Sequence, residues 1–256
     1  MATRLNTKPD TAIYLYGITR QAVPSPKVIG VDGSAAVDGL PCAGFVCWIS
    51  RVSHADFAEN LAQNMENLDW LAAAGVRHQR AVAAIAEQTQ ILPARFGTVF
   101  LSETSLQTDV EKRKRTLDAD FRRIDGADEW GVKVFTLPAK VELPPAESRT
   151  GKDYLKAKAA MLQRRPSKQA KGPDPELQAF GEQLTKLAVA AADGGKVSSG
   201  QRGLEWQSSF LLKRADRNKF ESLLKKYSKR WTDSRRIEVT GPWPPYSFVS
   251  KDSASR

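Results

Sequence analysis

Eleven residues in the first half of the chain, Gln90-Ile91-Leu92-Pro93-Ala94-Arg95-Phe96-Gly97-Thr98-Val99-Phe100, restrict the fold more than any other stretch. Leu92, Ala94, Phe96, Thr98 and Phe100 alternate with Ile91, Pro93, Arg95, Gly97 and Val99, the period of two by which a strand addresses two faces. A strand is the natural reading. Pro93 has no N–H to give a neighbouring strand and belongs at the first residues or on an edge, while Gly97 permits a bulge or a close backbone approach. Arg95 is the odd residue, a charge on the face opposite Phe96. A buried guanidinium needs a counter-charge, so an ion pair inside the domain is the favoured reading, and a contact to a partner's carboxylate is the other.

The elements around this strand follow from similar patterns. Ala12 to Ile18 reads as a first strand, apolar on both faces and therefore buried on both. Residues 21 to 44 collect prolines and glycines and form a loop with one short strand near Val28 to Val31. Phe45 to Ile49 is the next strand, and Ser53-His54-Ala55-Asp56 has the form of a capping box opening a helix with Phe57, Leu61 and Leu68 on one side. From Asp69 to Gln88, Leu71, Ala74, His78, Val82 and Ile85 recur at three and four, which places His78 on the apolar face of a helix. With no second titratable group at a helpful spacing, His78 reads as a hydrogen-bonded core residue rather than a general base.

Thr104-Ser105-Leu106-Gln107 suggests a second capping box, followed by the stripe Leu106, Val110, Leu117, Phe121 and Ile124 and a stop at Gly126. Lys112 to Arg115 lies within this helix, where nearby Glu111, Asp118 and Asp120 make it a solvated face. Glu129 to Leu137 supplies a fourth strand with Trp130, Val132 and Val134 on one face. Residues 12 to 138 thus resemble a ferredoxin-like α+β sandwich whose first crossover is a loop. Residues 139 to 150, with Pro144-Pro145, form a linker.

Residues 151 to 249 read as a second, smaller α+β domain. It begins with a basic helix from Lys152 to Arg165. Asp174-Pro175 caps a helix carrying Leu177, Phe180, Leu184, Leu187 and Ala188 and running to Gly194-Gly195. Trp206 to Leu212 is a strand, Asp216 can cap a helix with the stripe Phe220, Leu223, Leu224, Tyr227 and Trp231, and Arg236 to Thr240 is a last short strand. Three prolines in Pro242-Trp243-Pro244-Pro245 exclude helix and central strand, so Trp243, Tyr246 and Phe248 are presented from an extended, polyproline-like segment. Aromatics on a stiff scaffold suit an inter-domain clasp and a partner contact equally. Residues 250 to 256 read as a disordered tail.

Charge divides the chain in the same place. Residues 1–148 carry 16 Lys/Arg against 18 Asp/Glu, and residues 149–256 carry 23 against 11, within a total of +10. An acidic partner is plausible for the second half. Cys42 and Cys47, without a nearby histidine, cannot complete a zinc site and read as reduced thiols. The polar N-terminus and the absence of a long apolar run are those expected of an intracellular, soluble protein.

Tyr14-Leu15-Tyr16-Gly17-Ile18, His78, Leu92-Pro93-Ala94-Arg95-Phe96-Gly97-Thr98, Glu129-Trp130-Gly131-Val132-Lys133-Val134, Gly151-Lys152-Asp153-Tyr154-Leu155 and Gly241-Pro242-Trp243-Pro244-Pro245-Tyr246-Ser247-Phe248 stand in an order that resembles the gas vesicle protein GvpL/GvpF family. The resemblance runs from about residue 12 to 249; each motif is short, and six in order are specific. It implies a two-domain α+β protein with a modified ferredoxin-like first domain, and makes Leu92 to Phe100 the expected centre of the first sheet. It also implies a non-enzymatic accessory or minor structural protein of gas vesicles, the gas-filled buoyancy organelles, located at the vesicle within the cytoplasm. The implied partners are the small hydrophobic shell protein GvpA and other accessory proteins, with no cofactor, metal or small molecule.

On the residues alone, Arg95, Trp243, Tyr246 and Phe248 are the candidate partner-binding set. A non-specific nucleic-acid-binding module using the basic half is the alternative, with charge in its favour but no motif that interleaves charge and aromatics. Catalysis has little support: there is no Gly-rich phosphate loop and no nucleophile elbow, and Gly151-Lys152-Asp153 lacks the Ser/Thr of a phosphate-binding loop.

Overall fold

The computed structural model describes residues 10–137, 174–193 and 201–250. Its first strand, β1 (Thr11–Thr19), is buried on both faces as its composition requires. Tyr14 and Tyr16 enter one core layer, and Ile13, Leu15 and Ile18 enter the other. The change of parity has a cause. Against β3 (Phe45–Ser53), Leu15 pairs with Ile49 but Gly17 with Trp48, leaving Tyr16 as the extra residue of a bulge. A Cβ at Gly17 would stand 2.7 Å from the Leu92 carbonyl, so only glycine admits the strand on the other side.

That strand is the 90–100 stretch, and it is interrupted. β4 (Ile91–Pro93) and β5 (Val99–Phe100) both pair antiparallel with β1, but Arg95 to Gly97 leave the ladder. Ala94 N–H bonds the Tyr16 carbonyl and Leu15 N–H bonds the Thr98 carbonyl, each at 2.9 Å, so the ladder resumes directly beyond the excursion. Gly97 closes it at φ 82°, with Thr98 N–H on the Arg95 carbonyl at 3.2 Å. Two expectations change. The stretch lies at the sheet's edge rather than its centre, and Arg95, at the tip of a turn, is exposed rather than buried.

The sheet order is β2-β3-β1-β4, all antiparallel. This is the split order of a βαββαβ fold, with a loop in place of the first helix, as expected. Its remaining strand, however, is β2 (Asp38–Cys42), hairpinned to β3 through Ala43 and Gly44 at φ 52° and 88°. Val28 to Val31 forms no strand. Cys42 and Cys47 are buried, free thiols on these adjacent strands.

One face of this sheet is covered by a π turn (Ala55–Glu59) and α2 (Leu68–Ala86), separated by the short α1 (Leu61–Glu66). The first of the two expected helices is interrupted at Asn60, while the second begins close to the expected Asp69, capped by the Asn67 side chain, which accepts from Asp69 and Trp70 N–H. Leu68 consequently lies in solvent rather than on the apolar side. The other face is covered by α3 (Glu103–Ile124), which buries Leu106, Val110, Leu117, Phe121 and Ile124 as its period predicts. Its cap is Ser102, in a reciprocal box with Ser105, two residues before the expected Thr104.

Glu129 to Leu137 does not join this sheet. β6 (Ala127–Thr136) is an interior strand of a second antiparallel sheet, ordered β7-β8-β6-β9, with β7 (Ala190–Asp193), β8 (Leu204–Lys213) and β9 (Arg235–Trp243). With α4 (Pro175–Leu187) before β7 and α5 (Arg217–Arg230) before β9, the second sheet carries the split βαββαβ order with helices at both crossovers. Both helices pack on Trp130, Val132, Val134 and Phe210. The rings of Phe180, Tyr227 and Trp231 meet with centroids 4.8 to 5.1 Å apart, each pair adding about 0.5–1.5 kcal/mol beyond its buried area.

Asp174 caps α4 as read, accepting from Glu176 and Leu177 N–H, but the helix ends at Leu187 and the following alanines form β7. Asp216 precedes α5 without capping it and pairs with Lys219 instead. The last strand also runs further than expected, through Gly241 and Pro242 to Trp243; an edge strand tolerates the proline. The expected linker at 139–150, the basic helix at 152–165 and residues 251–256 of the expected tail lie outside the described residues.

Candidate functional site

The segment after β9 crosses back over the first half of the chain and is fastened there at four points. Phe248 is buried in the core cluster that α3 and the first sheet share with Leu211 of β8. Ser247 gives its backbone N–H and its hydroxyl to Glu129 at 2.8 and 2.5 Å, and Ser250 gives the same pair of groups to Asp120 at 2.9 and 3.0 Å. Arg123 completes the second of these, donating to Asp120 at 2.6 Å and to the Phe248 carbonyl. Both carboxylates are buried, and an anion in that position is tolerated only when donors satisfy it. Ser250, expected to be frayed, is anchored.

The fourth point is His78. Only 2% exposed, it stands on the inner face of α2 with Nδ1 2.9 Å from the Tyr14 hydroxyl and Nε2 3.4 Å from that of Tyr246. Tyr14 also accepts from Gly97 N–H at 3.2 Å. Tyr16 stacks on the ring at a 5.8 Å centroid distance. Burial pushes the His78 pKa down to about 4, against a smaller opposing effect of the Ala94 carbonyl. Burial likewise raises the phenols of Tyr14 and Tyr246 above their ordinary value. A neutral imidazole enclosed by phenols holds α2, the 94–98 turn and the C-terminal segment together; it is not open to a substrate.

On the outer side of α2 the same strap forms one wall of a groove of about 750 Å³. Pro242, Trp243, Pro244 and Pro245 face Leu71, Ala72, Gly75, Val76 and Ala83 of α2 across a floor that includes Ile91 and Ile124, while Arg80, Glu87, Asp128 and Arg214 stand at the polar positions. Trp243 is 50% exposed and Val76 equally so. Apolar surface of this kind, presented by a rigid proline-flanked tryptophan, can cover a partner's apolar surface at small entropic cost.

The structure therefore divides the four residues singled out from sequence. Tyr246 and Phe248 serve the clasp, Trp243 faces outward in the groove, and Arg95 sits on the exposed turn, away from the groove lining and without an ion pair among the described residues. Sequence reasoning missed Ser247, Ser250, Asp120 and Glu129, whose pairing spans more than a hundred residues. It also missed the outer face of α2, where Ala72, Gly75, Val76 and Ala83 at positions a solvated helix would fill with charge were the available signal. Among the described residues no cluster of three or more potential metal ligands occurs, and no helix is long and apolar enough to cross a membrane.

The chain is 30% identical to gas vesicle protein L of a Streptomyces species, over 94% of this chain and 93% of that one. It is 22% identical to gas vesicle protein F1 of Halobacterium salinarum, over 93% and 92%. The fold matches the crystal structures of GvpF from Anabaena sp. PCC7120 (TM-score 0.66, 18% identity, 94% of this chain and 97% of that one) and from Microcystis aeruginosa (TM-score 0.63, 18% identity, 94% and 99%). The model of the gas vesicle synthesis protein GvpL/GvpF family matches residues 12–250, and the chain belongs to that family.

Proposed function

We propose that this chain assists gas vesicle formation by binding apolar segments of other gas vesicle proteins, the small hydrophobic shell subunit GvpA first among them, before or during their assembly at the vesicle. Membership of the family supports a role in vesicle formation. The observation that carries the contact is Trp243, half exposed on a proline-stiffened strap beside an apolar groove, where the other aromatics among the described residues are buried or partly buried. A shell subunit that will face gas exposes apolar surface, and such surface aggregates unless it is covered. Arg95, exposed on its turn and without a partner among the described residues, is a second candidate contact, suited to a carboxylate.

Co-sedimentation of the purified chain with shell subunit, against a bovine serum albumin control, tests the reading. Retention that Trp243→Ala weakens supports it, and retention no greater than the control removes it.

The nucleic-acid alternative draws on the solvent face of α5, where Lys225, Lys226 and Lys229 are exposed. The aromatics of that helix, Phe220, Tyr227 and Trp231, are turned into the core and offer no platform on which bases could stack. The charge alone gives binding that disappears with salt.

A further inference from the structure

We infer that the free edge of the second sheet is self-complementary, and that a second copy of this chain pairs with it, β9 against β9, to make one continuous antiparallel sheet. β9 is a terminal strand of that sheet and pairs only with β6 among the described residues. Leu137 N–H bonds the Ser234 carbonyl at 2.8 Å, which fixes the alternation along the strand. Arg236, Glu238 and Thr240 therefore turn their backbone groups to β6, and Arg235, Ile237 and Val239 turn theirs outward. The N–H of Arg235 is taken by the Trp231 carbonyl, but its own carbonyl and both groups of Ile237 and Val239 face outward with no strand to pair with. A register shift between Glu129 and Gly131 bends β9 after Thr240, and Pro242 follows, so the straight edge runs from Arg235 to Thr240. The Arg235 side chain does not guard it, being folded onto Asp174 and Glu205 at 2.8 and 2.5 Å.

The outward groups and the charges between them select the occupant and its register. With a twofold axis at Ile237, the two copies of Ile237 exchange N–H and carbonyl bonds, and each Val239 N–H reaches the Arg235 carbonyl of the other copy. Arg236 then stands directly opposite Glu238 of the other copy, in the closely spaced pairs where side chains approach most. Ile237 packs against the core under α4 and α5, so Arg236 and Glu238 lie on the opposite face of the sheet, where they already pair within the strand. Across the axis these charges alternate in sign. Moving the axis by one residue in either direction sets Arg236 against Arg236 or Glu238 against Glu238, and like charges directly opposed are unfavourable. An unrelated strand would satisfy the backbone groups but not this order of charges; a second β9 satisfies both. Val239, 37% exposed, gains cover from the incoming strand.

This proposal concerns the chain by itself and stands or falls separately from the binding of shell subunits.

Sedimentation velocity of the full chain over a range of micromolar concentrations, with no other protein present, tests it, together with amide hydrogen exchange on the same samples. The expected result is a reversible dimer in which exchange at Ile237 and Val239 slows as concentration rises. Arg236→Glu and Glu238→Arg each weaken it about tenfold or more, since each puts like charges face to face. Mixing the two variants restores association as a one-to-one heterodimer, because every charge then meets its opposite. Both side chains reach solvent, and unchanged circular dichroism excludes misfolding as the cause. A wild-type chain that stays monomeric overturns the proposal. So does a dimer indifferent to both substitutions, a dimer whose Ile237 and Val239 amides exchange as fast as in the monomer, or a mixture that associates no better than either variant alone.

Discussion

Ser247 and Glu129 are joined twice: the serine's backbone N–H and its hydroxyl both point at one carboxylate, at 2.8 and 2.5 Å. Glu129 lies on β6 of the second sheet and Ser247 on the strap that returns to the first, so the pair anchors the strap where the two halves meet. Ser247→Ala keeps the backbone bond and removes the hydroxyl, a charge-assisted hydrogen bond to a buried acceptor. The expected cost is about 1–2 kcal/mol in urea-induced unfolding. An unshifted midpoint would show that the strap contributes nothing to stability through this serine.

His78 makes stability depend on acid. Its folded pKa of about 4 lies below the ordinary value of 6.5, so the unfolded chain takes up the proton first as pH falls. Above pH ~6.5 the residue has no effect; between pH ~6.5 and ~4 stability declines; below that the loss levels off, at about 3 kcal/mol for this group. His78→Gln is expected to be less stable at neutral pH, where the contacts to Tyr14 and Tyr246 are disturbed, yet to show a flatter decline over the acidic interval. Denaturation midpoints measured at several pH values for both proteins check this, and parallel curves would rule the histidine out as the source.

Elements whose cause is local were legible in the sequence, and those whose cause is a distant pairing were not. The stripe of α3 and the period of α2 fix helices by themselves, and β1 announces its double burial. Trp130, Val132 and Val134 alternate equally well in either sheet, and only the register with β8 and β9 assigns β6 to the second. Ala190 to Ala192 favour helix; pairing with Leu211, Phe210 and Ser209 makes them strand. The hydrogen-bond partners of His78 stand 64 and 168 residues away, beyond any spacing rule. The alternation from Leu92 to Phe100 held on either side of Arg95 to Gly97 but concealed the excursion, because Phe96 keeps the apolar rhythm while Gly97 turns the chain.

That excursion reverses the expectation for Arg95. A buried, ion-paired arginine would be costly to remove, whereas one exposed at a turn tip contributes little. Arg95→Ala is expected to leave unfolding free energy within about 0.5 kcal/mol of the parent. Measured by denaturant titration alongside shell-subunit binding, an unchanged stability with weaker binding would favour the contact to a carboxylate. A loss of several kcal/mol would instead return Arg95 to a structural role.

Trp243 and Phe248 lie five residues apart on the same strap and are expected to respond oppositely to truncation. Phe248 is buried in a continuous core cluster, so Phe248→Ala leaves a cavity and should cost about 3–5 kcal/mol. Trp243 has half its surface in solvent, and its backbone remains paired to Glu129 whatever the side chain. Trp243→Ala should therefore cost no more than about 1 kcal/mol of stability while reducing whatever association the groove supports, where a buried aromatic anchor contributes about 2 kcal/mol or more. Urea titration and sedimentation of both variants separate the two roles. If Trp243→Ala unfolds the chain as readily as Phe248→Ala, both aromatics belong to the clasp and the groove loses its anchor.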